Sequence, residues 1–151
     1  MIVKFKLNGE SVEENVADDE RALDFLRRIG MKSVKEGCGE GECGACTIIV
    51  NGKNVVSCLM LAAELDETDV LTTEGLSKEG VLDPIQESFA DIGAVQCGFC
   101  TPGMEMSAKA LLIKNPKPSE EDIKKGLEGN LCRCTGYFKI IEAVKKAADK
   151  N

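Results

Sequence analysis

The stretch Glu36-Gly37-Cys38-Gly39-Glu40-Gly41-Glu42-Cys43-Gly44-Ala45-Cys46 decides how the first half of the chain is read. Its cysteines are spaced C-x₄-C-x₂-C, and Cys58 follows downstream. A wrapped triplet of thiolates plus a later anchor suits two bridged irons, and this is the plant-type spacing for a 2Fe–2S cluster. Glycines in the loop allow positive φ and let backbone N–H groups approach the sulfurs. A Cys₄ zinc site more often shows two close pairs. Gly39-x-Gly41-x-x-Gly44 also matches the dinucleotide fingerprint literally. It fails on context, because no apolar strand precedes it, no helix clearly opens from it, and Glu40 and Glu42 would repel a pyrophosphate.

The remaining cysteines form a C-x₂-C pair, Cys97 and Cys100, and a C-x-C pair, Cys132 and Cys134. Two close pairs are what structural zinc sites use, so spacing alone leaves zinc and a second iron–sulfur cluster both open. The strong motif in the first half favours a second cluster serving the same electron path. Each pair precedes an expected helix, at Thr101-Pro102 and after Thr135-Gly136. Helix N-termini stabilise negative charge, which suits an anionic cluster.

Composition narrows the chemistry further. The chain has 151 residues, eight cysteines, no histidine and no tryptophan, with a formal net charge of −7. That balance opposes phosphate neutralisation, so neither nucleic acid nor an anionic membrane is an expected partner. Without histidine there is no Ser-His-Asp or Cys-His catalytic pair, no Rieske centre and no H-E-x-x-H site. Met1–Leu7 alternates apolar and charged residues, a strand pattern rather than a signal peptide. No stretch approaches the roughly 18 apolar residues of a membrane span. The expected location is cytoplasmic, where clustered cysteines more often bind metal than form disulfides.

The order of elements predicts two small halves. Ile2–Leu7, the turn Asn8-Gly9 and Ser11–Val16 read as a hairpin. Asp18 or Asp19 is expected to cap a helix over Glu20–Ile29, stopped at Gly30. Thr47–Val50 and Lys53–Val56 flank Asn51-Gly52 as a second hairpin, Leu59–Leu65 is a short helix candidate, and Val70–Thr73 closes as a strand. Beyond Gly75–Asp83 the pattern is helical: Pro84–Ile92, a helix from Pro102 to Lys114, Ile123–Leu127 behind the capping residues Ser119–Asp122, and a last helix carrying Ile140, Ile141, Val144, Ala147 and Ala148. Each half is small enough that a bound metal would be a useful staple.

Taken together, these segments resemble the small iron–sulfur subunit of the molybdenum hydroxylases, the family of xanthine dehydrogenase, aerobic carbon monoxide dehydrogenase, nicotinate dehydrogenase and 4-hydroxybenzoyl-CoA reductase. The resemblance runs through Lys35–Thr47, Ser57-Cys58-Leu59, Glu74-Gly75-Leu76, Gln96–Gly103 and Gly129–Tyr137, nearly the whole chain, with no departure at any cysteine. It implies an α+β chain: a β-grasp, ferredoxin-like 2Fe–2S domain at residues 1–76, then a four-helix 2Fe–2S domain at 77–151. It implies one cluster on Cys38, Cys43, Cys46 and Cys58, and another on Cys97, Cys100, Cys132 and Cys134. Gln96 and Cys134 should also lie against a molybdopterin, expected in its dinucleotide form, on a large partner subunit. FAD is expected on a medium partner subunit, within a hetero-oligomer such as a dimer of heterotrimers. The chain would then relay single electrons between molybdenum and flavin and make no bond to substrate. Two rival readings are a free-standing two-cluster ferredoxin and a binding module with zinc in its second half. Two oxidised clusters at about −2 each would take the net charge of the assembled protein to about −11.

Overall fold

The structure, a computed structural model, describes residues Met1–Lys150; Asn151, the last residue of the expected second domain, lies outside them. The first half carries strands β1 (Ile2–Leu7), β2 (Glu10–Asn15), β3 (Thr47–Val50), β4 (Lys53–Val56) and β5 (Asp69–Leu71), with helix α1 (Ala22–Arg28). β1 alternates strictly, with Val3, Phe5 and Leu7 buried. Asn8 (φ +54°) and Gly9 (φ +88°) make the tight turn that sets the register Phe5↔Val12. The sheet order is β2-β1-β5-β3-β4, with β1 and β5 parallel and every other pairing antiparallel. α1 fills this half with Leu23, Phe25 and Leu26, and Phe25 meets Phe5 edge-on at 5.9 Å.

Two local expectations shift. α1 begins at Ala22 rather than Glu20, and neither Asp18 nor Asp19 caps it. The chain is held extended up to Arg21 because Ala22 N donates to Met60 O, Ala62 N donates to Glu20 O, and Arg21 bridges Leu61. That same bridge splits Leu59–Leu65 into two 3₁₀ turns, Ser57–Leu59 and Ala62–Leu65, instead of one helix.

The second half holds helices α2 (Pro84–Ile92), α3 (Thr101–Lys114), α4 (Glu120–Leu127) and α5 (Phe138–Asp149). Asp83 caps α2 by accepting from Ile85 N at 3.0 Å, while the Gln86 side chain accepts from Asp83 N. Ser119 and Asp122 cap α4 reciprocally, as their spacing predicts. Ile85, Phe89, Met104, Ile123, Ile140 and Val144 form the helical core. α3 departs from the one-sided pattern of a surface helix, for Gly103–Ala108 are all buried. One side faces the helical core. The other joins a third apolar cluster, in which Met106 and Ala110 pack on Ile49 of β3 and on Leu76. α3 is therefore the element that cements the two halves.

Candidate metal centres

The β3–β4 hairpin explains how Cys58 reaches the loop. Cys46 immediately precedes β3 and Ser57-Cys58 immediately follows β4, while Thr47 pairs with Val56. Strands of equal length joined by Asn51-Gly52 return the chain to its starting end. There Ser57 Oγ donates to Cys46 O at 2.8 Å. Cys46 and Cys58 are buried in the core of this half, whereas Cys38 is exposed. The loop wraps its backbone around Cys38: the N–H groups of Glu40 and Glu42 reach its Sγ at 3.3 Å and that of Cys43 at 3.4 Å. Cys38 N in turn donates to Cys43 Sγ at 3.3 Å. Those N–H donors pull the Cys38 thiol down to about 7. Burial, with Cys46 beside it, pushes Cys58 up to about 11. A Cβ at Gly37 would meet Cys43 Sγ at 2.6 Å, so a side chain there would displace that sulfur.

The second set is gathered from two loops. Cys97 and Cys100 end the α2–α3 connection, with Cys100 at the N-cap of α3, and Cys132 and Cys134 lie between α4 and α5. Cys100 and Cys132 are partly buried and pack on the helical core; Cys97 and Cys134 are exposed. Burial pushes Cys100 up to about 12. Burial also acts on Cys132, but the hydroxyl and N–H of Thr135, at 3.1 and 3.4 Å from its sulfur, bring it below the ordinary thiol value. Cys134 is raised by its contact with Cys97. Gln96, next in sequence to Cys97, is exposed, as Cys134 is.

The arrangement of the thiols tests which group fits. Among the described residues no three His, Cys, Asp or Glu side chains are gathered as ligands of one ion. The thiols lie instead close enough in pairs to act on one another's protonation: Cys38 with Cys43, Cys46 with Cys58, Cys97 with Cys134, and Cys100 with Cys132. Within each set the pairs feel one another's charge, Cys58 that of Cys38 and Cys100 that of Cys97. Two pairs per set suit a binuclear group with one pair to each metal, better than a single tetrahedral zinc. Thr101 Oγ1, next in sequence to Cys100, is buried without a partner, which leaves a hydroxyl donor in that neighbourhood.

The two sets meet across the junction of the halves. Leu131, directly before Cys132, donates its N–H to the carbonyl of Cys43 at 2.9 Å. A Cβ on Gly37 would also come within 3.7 Å of the Phe99 ring, so the aromatic between Cys97 and Cys100 reaches the first loop. The reading of the sequence missed a buried carboxylate. Glu105 on α3 is only 6% exposed, and burial, with Asp83 nearby, pushes its pKa up to about 7. The signal was present in Met104-Glu105-Met106, a charge inside an apolar run.

Comparison with known proteins bears on both halves. Residues 5–76 match the family model of the 2Fe–2S iron–sulfur cluster binding domain, and residues 72–145 that of the [2Fe–2S] binding domain. The chain is 51% identical over 149 residues to the nicotinate dehydrogenase small FeS subunit of Eubacterium barkeri, covering 98% of this chain and 95% of the relative. It is 44% identical over 144 residues to the xanthine dehydrogenase iron-sulfur-binding subunit of Escherichia coli O157:H7, covering 94% and 91%. Among solved structures, a chain of quinoline 2-oxidoreductase from Pseudomonas putida 86 superposes with a TM-score of 0.95 at 39% identity, over 99% of this chain and 94% of that one.

Proposed function

The chain belongs to the family of small 2Fe–2S subunits of molybdenum hydroxylases, and on that premise we propose that it relays single electrons between a molybdopterin site and FAD carried by partner subunits. The observation that carries this reading is the pairing of two four-thiol sets in one body, joined by the Leu131–Cys43 backbone hydrogen bond. Bound 2Fe–2S clusters supply the uptake and release of one electron at a time. Cys38, Cys43, Cys46 and Cys58 would hold one cluster, and Cys97, Cys100, Cys132 and Cys134 the other, with the domains dividing at Leu76/Ser77.

The chain's own residues do the rest. The N–H groups of Glu40, Glu42 and Cys43, and the Thr135 hydroxyl, are already aimed at sulfur and stabilise negative charge there. Gln96 and Cys134, both exposed, are the groups that would face the pterin, in its dinucleotide form, on a large subunit. Val95, Phe99, Leu131 and Phe138, exposed apolar side chains in the two segments that carry the second cysteine set, suit a partner contact. A medium subunit would carry FAD, in a cytoplasmic assembly such as a dimer of heterotrimers. Among the described residues no helix is long and apolar enough to cross a membrane.

Native purification followed by metal analysis tests this. The expected result is co-purification with two larger chains and about four irons and four acid-labile sulfides per small chain. A lone monomer, or zinc in the second half, refutes it. In the purified complex, Cys97→Ser should block flavin reduction by the substrate while the molybdenum centre is still reduced. Nicotinate, xanthine and quinoline are the first compounds to try. Flavin reduction at full rate would remove the relay.

A further inference from the structure

Asn130 is buried, 5% exposed, in the segment between α4 and Cys132, yet its side chain is directed at the other half of the molecule. Its Oδ1 accepts from Ser107 Oγ of α3 at 2.6 Å. Its Nδ2 donates to Gly44 O at 3.1 Å, across 86 residues of sequence, and lies 3.5 Å from Thr47 Oγ1. The orientation of the amide follows from chemistry, because only the NH₂ end can bond a carbonyl oxygen. Gly44 stands between Cys43 and Cys46, and its carbonyl also takes the N–H and hydroxyl of Thr47, at 3.1 and 2.6 Å. At φ +72°, a Cβ on Gly44 would meet Gly129 O at 2.4 Å and Asn130 Nδ2 at 2.6 Å. The next residue after Asn130 donates to Cys43 O. Gly129–Leu131, in the second half, therefore grips the two peptide units that flank Gly44, between Cys43 and Cys46 of the first.

We infer that Asn130 is a positioning residue for the cluster of the other domain: its amide, oriented by Ser107, fixes the Cys43–Cys46 turn and so sets how the two clusters lie relative to each other. This rests on the two-cluster reading above. Truncation to Ala leaves Gly44 O its Thr47 donors but removes the bridge, and it strands the Ser107 hydroxyl in a buried place. The turn is then held from its own side alone. Asn130 makes no hydrogen bond to a sulfur of the first set, so its effect there passes through Gly44 and Thr47.

The experiment compares the reduced, iron-loaded complex of wild type, Asn130→Ala and Ser107→Ala by electron paramagnetic resonance. The two cluster signals are assigned with Cys38→Ser and Cys97→Ser. Both variants should keep about four irons per chain. Both should shift the g values of the first-domain cluster and reduce its magnetic splitting by the second, with the smaller effect in Ser107→Ala. Signals that superpose on wild type, or a change confined to the second-domain cluster, overturn the inference. Loss of iron from the first domain alone supports it, and loss from the second alone overturns it. If Asn130→Ala fails to fold, Ser107→Ala decides by the same outcomes. A wild-type complex without iron signals refutes the two-cluster reading and this inference with it. Intact wild-type signals with unaltered variants refute the inference alone.

Discussion

Gly103 offers a sharp test of how the halves fit together. It occupies the first turn of α3 in ordinary helical conformation, so nothing in its backbone demands glycine. What demands it is the neighbour. A Cβ at this position would meet Gly44 O at 2.3 Å and Ala45 Cα at 3.2 Å, both backbone atoms of the cysteine loop. Ordinary contact begins near 3.4 Å, so helix and loop must part by about an ångström. Overpacking of this kind costs about 1–3 kcal/mol, and the rigid backbone partner places Gly103→Ala at the upper end. Better helix propensity returns at most about 1 kcal/mol. The net loss of about 1–2 kcal/mol corresponds to a melting temperature lower by roughly 2–8 °C for a chain of this size.

Two companion variants make the assay internal. A Cβ at Gly129 meets nothing within 4 Å, and one at Gly126 meets only the flexible Leu111 side chain at 2.9 Å. Gly129→Ala should melt with wild type, and Gly126→Ala, inside α4, should match or slightly exceed it. Thermal melts of the iron-loaded proteins followed by circular dichroism give the comparison. If Gly103→Ala melts at or above wild type, the close approach of α3 to the cysteine loop is wrong, and so is the account of why the halves form one body.

Three further outcomes are expected. Glu105, raised to about 7 by burial and by Asp83, keeps a proton in the folded chain that the unfolded chain loses near 4.5; its stabilising contribution is complete below that pH and is lost as pH rises through about 7. Glu105→Gln should therefore gain on wild type by about 3 kcal/mol between pH 4.5 and 8, and parallel denaturation curves at the two pH values would refute this. Lys109 Nζ lies 2.6 Å from the largely buried Asp83 carboxylate, so Lys109→Met should cost about 1–3 kcal/mol in urea unfolding, and an unchanged midpoint would show the pair to be idle. Removing iron with a chelator should open the loop whose backbone donors converge on Cys38, so that a Glu-specific protease cuts at Glu40 or Glu42 in the stripped protein and not in the loaded one; equal resistance would mean that the loop stands without metal.

The local grammar was legible because it depends on neighbours in sequence. Asn8-Gly9 and Asn51-Gly52 named both hairpins, Ser119–Asp122 named a helix start, and the C-x₄-C-x₂-C run named the first thiol set. The second set was harder, since a C-x₂-C and a C-x-C pair suit zinc as well as iron. The start of α1 was misplaced because a distant strand-like bridge, Arg21 to Leu61, outweighs the capping tendency of Asp18 and Asp19. α3 shows no one-sided stripe for a similar reason, being packed on both sides.

The sequence by itself determined the thiol chemistry on offer, its grouping into four cysteines per half, and the order of strands and helices. Each follows from spacing, from turn chemistry and from periods of two or 3.6 residues. Only the tertiary structure decided which thiols come together, why Gly103 and Gly44 must lack a side chain, where Asn130 directs its amide, and that Glu105 is buried. The constraints on Gly103, Gly44 and Asn130 arise where the cysteine loop meets α3 and the Gly129–Leu131 segment. Contacts between surfaces so far apart along the chain leave no periodic trace in it, because the packing of two preformed halves, rather than the local backbone, selects them.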